Sequence, residues 1–202
     1  MRKELAKNMA EEKKANPRRI LETPRLILRE FCAEDVDALA CVISDPETMR
    51  FYTAPFDRSE VKEWIERNRR RYSKDGHGLW AVILKTSAEL IGDCGLVVQD
   101  VESANEIEVA YHVRRDLWGQ GLATEAVRAC CDFGFAHLPV ERLISLIRPE
   151  NLASRRVAEK NGMTVWKEVV RFGFPHLVYS IVECKLAKHE DGLHAALACD
   201  KC

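Results

Sequence analysis

The sequence of 202 residues lacks the features that would assign it to a membrane or to nucleic acid. Residues 1–19 are rich in Lys, Glu and Ala but contain no apolar run of about 7–15 residues, so they predict neither a signal peptide nor a membrane-spanning helix. The formal net charge is only −1, which argues against a dedicated nucleic-acid binder. We therefore expect a cytoplasmic protein with no membrane partner and no dedicated nucleic-acid binding.

Flexible connecting segments are also missing. We find no internal repeat, no low-complexity tract and no linker rich in Pro, Gly and Ser that would divide the chain. Because 47% of the residues are hydrophobic, the chain can bury one substantial core. The sequence therefore predicts a charged N-terminal extension at residues 1–19, one domain at residues 20–186 and a C-terminal tail at residues 187–202.

Cysteine is not scarce, but the eight cysteines lack the context of a disulfide framework. A chain of this length does not need covalent cross-links to stay folded, and no secretory signal is present. We expect reduced thiols that mostly behave as small buried hydrophobic side chains at Cys32, Cys41, Cys94, Cys130, Cys131 and Cys184.

The C-terminal tail contains two imidazoles and a C-x-x-C pair, which are chemically sufficient for a four-coordinate zinc ion. The side chains are His189, His194, Cys199 and Cys202. Their order is not that of a standard zinc finger, since the histidines precede the cysteines. A tail without metal is the preferred interpretation, and we assign no metal site.

Apolar periodicity and turn residues predict a succession of strands and helices. Asp57 and Glu60 have the spacing of a capping box, so a helix should begin there and end near Tyr72. The other elements outside the central segment are strands at residues 25–31, 80–85, 90–98, 165–171 and 176–186 and a helix at residues 34–43.

The most informative segment is residues 106–162, which predict strand, glycine turn, helix, strand and helix in succession. Charged or small residues alternate with apolar ones at residues 106–113, which is the period of a half-buried strand. Gly119 and Gly121 then precede apolar residues at helical spacing. Free N–H groups and the helix dipole attract phosphate at such a helix start, and glycines let it approach the backbone. Residues 118–124, the glycine loop, are therefore a predicted site for a phosphorylated ligand.

The glycine loop has two competing interpretations. A dinucleotide-binding loop also follows a strand and opens a helix, but Thr124 stands where its third glycine belongs, and no clear acidic residue follows about 20 residues on. Glycines that merely permit a tight turn are the other alternative. Beyond the loop, residues 142–148 predict a strand, and a short helix led by Asn151 should stop at the left-handed cap signal of Asn161 and Gly162.

The motifs that carry a family resemblance are WGQGLATEA at residues 118–126 and RPENLASRRVAEKNGM at residues 148–163, with LETPRLILREF and DPETMRFY upstream. They resemble the GNAT superfamily of acetyl-coenzyme A-dependent N-acetyltransferases, specifically its RimJ/RimL-like branch, over roughly residues 21–186. The family's phosphate-binding signature falls on residues 118–123, where Trp118 replaces the usual Gln or Arg.

The resemblance implies an α/β fold with a mixed, mostly antiparallel twisted sheet, helices on both faces and a splayed strand pair at the cofactor site. It also implies acetyl-CoA as co-substrate, bound without a metal. The cofactor-binding residues carried over are Tyr111, His112, Val113, Gly119, Gln120, Gly121, Leu122, Ala123, Thr124 and Asn151. Arg114 and Arg115 either reach the cofactor phosphates or are simply solvated.

Acetyl transfer to an amine needs a base, and the resemblance favours Glu108, with Glu106 in reserve. The resemblance also assigns Asn151 a hydrogen bond to the cofactor or intermediate, although Asn151 has the alternative role of a helix N-cap. Ser154 would donate a proton to the departing thiolate. Many relatives use a tyrosine seven residues after the asparagine as this acid, but Ala158 stands there, so a mechanism without an acid stays open.

The acceptor is not determined by the resemblance, which covers protein N-termini, including those of ribosomal proteins, and small-molecule amines. Arg67, Arg69, Arg70 and Arg71 either attract an acidic acceptor or RNA or form a solvated helix face. Aromatic candidates for the acceptor pocket or the core are Trp64, Trp80, Trp166, Phe172 and Phe174. A catalytically inert acyl-CoA sensor is the competing function. The sequence leaves the oligomeric state open, a homodimer included.

Overall fold

One eight-stranded sheet forms the centre of the computed structural model, which describes residues 17–183. The strands in chain order are β1 (Arg19–Glu22), β2 (Leu26–Arg29), β3 (Leu79–Leu84), β4 (Glu89–Val101), β5 (Ala104–Val113), β6 (Arg142–Ile147), β7 (Thr164–Arg171) and β8 (Phe174–Val182). They lie in the order β1-β2-β3-β4-β5-β6-β8-β7. Every neighbouring pair is antiparallel except β5 and β6, which are parallel.

Four α-helices pack on this sheet: α1 (Val36–Ile43), α2 (Arg58–Asp75), α3 (Leu122–His137) and α4 (Leu152–Lys160). Local capping explains where α2 begins. The Asp57 carboxylate accepts a hydrogen bond from the Glu60 N–H at 2.8 Å, and the Glu60 carboxylate accepts one from the Asp57 N–H at 2.7 Å. This is the predicted capping box. Helix α2 ends at Asp75, three residues beyond the predicted end at Tyr72, and Gly76 at φ +76° is its C-cap.

The parallel pair β5 and β6 is splayed. Ten residue pairs hold β4 against β5, whereas Glu108 and Ile144 are the one pair in register between β5 and β6. Past this pair the two strands separate, and a gap opens in the sheet. Backbone groups that a neighbouring strand would otherwise occupy are left facing the gap.

Alternation along the strands divides the core into two layers. Val109, Leu143 and Tyr179 lie in a cluster with α3 residues on one face of the sheet. Val97 and Ala110 lie in a cluster with residues of α1 and α2 on the other face. Helices therefore cover both faces, and the mixed, mostly antiparallel sheet with a splayed strand pair confirms the predicted fold class.

Differences from the predicted elements lie mainly at the edges. Strand β1 was not predicted, since its four residues begin and end with a charged side chain, and it starts one residue before the expected domain boundary at residue 20. The following strand is shorter than predicted, at Leu26–Arg29. Residues 33–35 form a 3-10 turn before α1 rather than its first turn.

Cysteine burial follows the expectation in part. Cys94, Cys130 and Cys131 are buried, but Cys32 is half-buried and Cys41 is exposed on α1, and all five are free thiols. Cys184 lies outside the described residues, as do the four possible metal ligands of the tail. Within residues 17–183, no helix is long and apolar enough to cross a membrane, and no cluster of three or more His, Cys, Asp or Glu could hold a metal ion.

Candidate functional site

A cavity of about 770 Å³ follows the gap between β5 and β6. It runs from the glycine loop, past β5 and the start of α4, to the side of the sheet that α1 and α2 cover. Its volume lies within the range of small-molecule sites. The predicted site residues that line it are Glu108, Tyr111, His112, Val113, Gly119, Gly121, Leu122, Ala123, Thr124, Asn151 and Ser154. Gln120 is absent from the lining.

Strand β5 offers backbone groups to the gap at alternate residues. The Val109 carbonyl accepts a hydrogen bond from the Ser145 hydroxyl of β6 at 2.6 Å, and the Val113 carbonyl accepts one from the Trp118 indole at 2.6 Å. Since a residue's N–H and C=O point to one side and successive residues alternate, Tyr111 also points into the gap. His112 pairs with Asp93 of β4, so its backbone faces β4, while the residue still lines the cavity. Its predicted contact with the cofactor stays a prediction.

The glycine loop begins α3 with unpaired N–H groups. Gly119 and Gly121 have φ values of +77° and +76°, a left-handed conformation that glycine adopts without strain. Gly121 is the N-cap of α3, and no side chain caps it. Arg25 fixes the loop from outside, because its guanidinium donates to the Gln120 carbonyl at 2.8 Å and to Glu125 at 2.6 Å. The helix start is therefore available to an anion.

Glu108 is a buried carboxylate at the point where β5 and β6 separate. It accepts hydrogen bonds from the Gln99 side-chain amide at 2.7 Å and from the Leu146 N–H at 3.2 Å. Burial raises the pKa of Glu108 above its ordinary value of 4.5, and the two hydrogen bonds oppose this rise. A buried carboxylate in a cavity with a raised pKa is a candidate for proton transfer.

Glu106, the second candidate for the base, does not line the cavity, and neither do Arg114 and Arg115, which follow β5. Glu106 is 3.6 Å from Arg142 and lies outside the lining. Arg114 donates to Asp116 at 2.8 Å, and its other nitrogen is 3.4 Å from Glu89. Neither Arg114 nor Arg115 lines the cavity. Glu108 and Glu106 lie on the same strand face, but of the two only Glu108 lines the cavity.

Helix α4 brings Asn151 and Ser154 to the cavity. The Asn151 side chain accepts a hydrogen bond from the Ser154 N–H at 3.1 Å, so Asn151 is the N-cap, as its alternative interpretation predicted. The Tyr111 hydroxyl donates to the Ser154 carbonyl at 3.0 Å, which places a phenol beside the first turn of α4. Burial raises the pKa of Tyr111. Ala158 is buried in the core below. Sequence reasoning missed this hydroxyl because Tyr111 comes from β5, not from α4.

The His112 side chain lies on the α2 face in a buried polar network. Its Nδ1 is 2.7 Å from the Asp93 carboxylate, and its Nε2 is 2.8 Å from the Tyr52 hydroxyl. The Trp64 indole donates to the other oxygen of Asp93 at 2.9 Å. Burial lowers the pKa of His112, but the charge and hydrogen bond of Asp93 outweigh it, and the net result is a raised pKa. Sequence reasoning did not find this network, since no local motif joins its members.

Replacing His112 by Gln should change how stability depends on pH. Because the pKa of His112 is raised in the folded protein, its protonation stabilises the fold fully below about pH 6.5, and this stabilisation is lost as the pH rises through the folded pKa. We expect the difference in the free energy of unfolding between wild type and His112→Gln to shrink with rising pH. Urea titrations at several pH values measure it, and a difference independent of pH would contradict the assignment.

The basic run on α2 splits into two pairs. Arg69 donates to Glu66 at 2.7 Å and Arg70 to Glu63 at 2.6 Å, as expected of a solvated helix face. Arg67 and Arg71 instead line the cavity. Of the aromatic candidates, Trp64, Phe172 and Phe174 line the cavity, Trp80 is buried in the core, and Trp166 is exposed with Arg142 over its ring at 4.0 Å.

The site thus combines a helix start without a side-chain cap, the strand edge at Tyr111 and a buried carboxylate, all on one cavity. The helix start and the strand edge suit an extended phosphorylated ligand that carries amides. The carboxylate of Glu108 suits proton transfer at the end of the cavity away from the glycine loop.

Comparison with known proteins agrees with this arrangement. A family profile described as "Acetyltransferase (GNAT) domain" matches residues 25–164. YkkB, an uncharacterized protein of Bacillus subtilis (strain 168), is 37% identical over 167 residues, which cover 81% of this chain and 96% of YkkB.

Solved structures share the fold. The crystal structure of an acetyltransferase from Agrobacterium tumefaciens str. C58 superposes with a TM-score of 0.70 at 27% identity and covers 81% of this chain and 94% of that chain. RimL, described as a ribosomal L7/L12 alpha-N-protein acetyltransferase, has a TM-score of 0.69 at 17% identity, with coverage of 83% and 95%. At 17% identity the similarity to RimL demonstrates the fold alone.

Proposed function

Since the chain belongs to the GNAT acetyltransferase family, we propose that it transfers the acetyl group of acetyl-CoA to a primary amine by direct attack in a ternary complex. The observation that carries this proposal is a single cavity that joins the glycine loop to the buried carboxylate of Glu108. Acetyl-CoA, when bound, supplies an activated thioester.

The residues present fit this donor. Unpaired N–H groups at the start of α3 match a pyrophosphate, and the open space at Gly119 leaves room for it. The free backbone groups of Tyr111 match the amides of a pantetheine arm. Arg156 and Lys160 also line the cavity, on α4, and are available for phosphate contacts. The proposed cofactor-binding residues are Tyr111, His112, Val113, Gly119, Gln120, Gly121, Leu122, Ala123, Thr124 and Asn151.

Glu108 acts as the base in this proposal. It accepts a proton from the acceptor ammonium, directly or through water, so that the amine nitrogen is free to form the new bond to the acetyl carbon. The nearby charge of His112 favours the ionised carboxylate, because it lowers the pKa of Glu108. The buried His112 and Asp93 pair thus supports Glu108 from the same face of the sheet.

Ser154 is the proposed donor to the thiolate that leaves when the carbon–sulfur bond breaks, and Asn151 orients it by capping α4. Tyr111 is the competing acid, since its hydroxyl lies at the Ser154 carbonyl. Burial makes the Tyr111 proton harder to release than that of an ordinary phenol, but a serine hydroxyl is itself a weaker acid than a phenol. The proposal of Ser154 therefore rests on its place in the cavity lining at the start of α4.

Ser154→Ala should lower kcat by about 10²-fold or more while acetyl-CoA affinity changes little, because the lost proton donor acts only as the bond breaks. Tyr111→Phe is the matched variant, since it also removes one hydroxyl beside α4. Stopped-time assays of free coenzyme A give kcat, and calorimetry gives the affinity. A larger loss of kcat in Tyr111→Phe than in Ser154→Ala would transfer the acid role to Tyr111.

Placement in the RimJ/RimL-like branch, the cytoplasmic location and the choice between a protein N-terminus and a small-molecule acceptor remain proposals. The shared fold with RimL supports the branch. Incubation of the purified protein with acetyl-CoA and a panel of amines and N-terminal peptides tests the activity, with acetylated products read by mass spectrometry. Acetyl-CoA binding without turnover of any amine would favour the inert sensor instead.

A further inference from the structure

Guanidinium groups outnumber carboxylates in the acceptor half of the cavity, by which we mean its part on the α1 and α2 side of the sheet. Five arginines line this half: Arg50, Arg67, Arg71, Arg148 and Arg171. The two acidic residues in the lining are Glu47 and Glu108, and Glu47 forms an ion pair with Arg50. Among residues 17–183, Glu108 is therefore the one lining carboxylate left to offset Arg67, Arg71 and Arg171, whereas Arg148 lies 3.4 Å from Glu150, which is outside the lining.

Two of these arginines have buried N–H groups without an acceptor. Arg171 donates from Nη2 to the Gln99 side chain at 3.1 Å, but its Nη1 is buried and has no hydrogen-bond partner in the part of the chain that the structure describes. Arg148 Nε is also buried without a hydrogen bond, although it lies 3.4 Å from a carboxylate oxygen of Glu150. Buried donors left unpaired cost free energy, and an anionic group on a ligand would satisfy them.

Two further arginines, Arg67 and Arg71, come from α2 and, like Arg171, lack a carboxylate partner among residues 17–183. Arg67 lies over the Trp64 ring at 4.9 Å, and Arg71 donates to the Asn68 amide oxygen at 3.2 Å. Burial, and then the charge of Arg67, lowers the pKa of Arg71. Within residues 17–183, neither Arg67, Arg71 nor Arg171 has a carboxylate within 4 Å. The positive charges of these guanidinium groups repel one another, and a bound anion would stabilise them.

The cofactor phosphates do not account for these charges. Arg171 contacts Gln99, on the sheet face that Glu108 shares, whereas the glycine loop opens α3 on the opposite face. Along β5, Glu108 lies five residues before Val113, or roughly 16 Å at the rise of a strand. The arginines therefore surround the end of the cavity where the acceptor amine must reach Glu108.

Resting on the proposed amine acetylation, we infer that the acceptor is a small primary amine that also carries an anionic group, a carboxylate or a phosphate, bound by Arg148 and Arg171 with Arg71 contributing from α2. A single side chain, Gln99, connects Arg171 to Glu108 through hydrogen bonds of 3.1 and 2.7 Å. The anionic group and the amino group of the acceptor are therefore only a few bonds apart.

The surroundings of Arg148 and Arg171 fit a small ligand better than a long polymer. Phe174 lies under the Arg148 guanidinium at 4.2 Å, and Phe172 lies near that of Arg171 at 5.6 Å. Phe172 lies in the turn between β7 and β8, Phe174 is the first residue of β8, and both line the cavity. They limit how the guanidinium groups can move and direct their remaining N–H groups to one place.

Matched pairs of amines test the inference: alanine against alaninamide for a carboxylate, and phosphoethanolamine against ethanolamine for a phosphate. We expect the anionic member of at least one pair to have a kcat/KM at least about tenfold above its neutral partner. Arg171→Gln and Arg148→Gln should each lower this value about 10- to 100-fold, mainly through KM. They should lower the value of the neutral partner much less, although the charge of Arg171 also lowers the pKa of Glu108. The pair that responds identifies the anion.

Arg69→Gln and Arg142→Gln are the controls, because each removes an arginine that lies outside the cavity lining. The inference would be overturned if the wild type acetylated both neutral amines as well as or better than their anionic partners. It would also be overturned if the arginine variants slowed both members of a pair equally, or if the protein acetylated only peptides whose N-terminal residues have uncharged side chains. If no amine is acetylated at all, the proposed function fails instead. Calorimetry with alanine and phosphoethanolamine then tests the anion site by itself. Equal affinities of the wild type and Arg171→Gln for these amines would overturn the anion site.

Discussion

Acetyl-CoA should bind Gly119→Asp at least about a hundredfold more weakly than Gly119→Asn. Both residues adopt a left-handed conformation comparatively well, and a side chain at Gly119 meets no atom within 4 Å, so the two variants should fold alike. The aspartate places a negative charge beside the proposed pyrophosphate. Each phosphate charge about 5 Å away costs about 3 kcal/mol at an effective dielectric constant of about 20, which exceeds a factor of one hundred in Kd.

Calorimetry on both variants, after their thermal unfolding has been matched, measures this difference. Gly119 is preferable to Gly121 because the Arg25 guanidinium lies 3.7 Å from where a side chain at Gly121 would begin and would partly neutralise an acid there. Equal affinities in the two folded variants would remove the glycine loop as the phosphate site.

Glu108→Gln should lower kcat by about 10²–10⁴-fold with little change in acetyl-CoA affinity, because the amide keeps the size of the side chain but accepts no proton. Wild-type activity should rise with pH through the pKa of Glu108, which burial raises above 4.5, since the ionised form is the base. This rise should be missing in the variant. Steady-state rates over a range of pH, measured with an acceptor of known amine pKa, separate the ionisation of Glu108 from that of the acceptor amine.

Glu106→Gln is the matched control, two residues away on the same strand face. Glu106 is partnered by Arg142 outside the cavity lining, so its replacement should leave kcat and its pH dependence unchanged. Loss of activity in Glu106→Gln with normal activity in Glu108→Gln would exchange the roles of the two residues.

Local patterns were sufficient to predict much of the fold. The capping box at Asp57 and Glu60 and the left-handed cap at Gly162 appear where the sequence places them, because each depends on residues a few positions apart. The glycine loop likewise opens a helix. Strand β1 escaped prediction since four residues are too few to show a periodic pattern, and its pairing with β2 defines it.

Residue type alone did not separate equivalent candidates within the site. Glu106 and Glu108 share a strand face, yet only Glu108 lies where β5 and β6 diverge. Arg67, Arg69, Arg70 and Arg71 form one basic run, yet the turn of the helix directs two to the cavity and two to solvent. For these glutamates and arginines, the neighbouring residues in the fold decide which side chains line the cavity.

Local spacing of residues was enough to predict the order of most elements, the helix start that suits a phosphate and the strand face that carries Glu108. Only the tertiary structure joined His112 to Asp93, 19 positions away, and to Tyr52, 60 positions away. It alone brought Arg148 and Arg171 to the cavity that Arg71 also lines. Such contacts depend on strand register and helix packing, which no single stretch of sequence encodes.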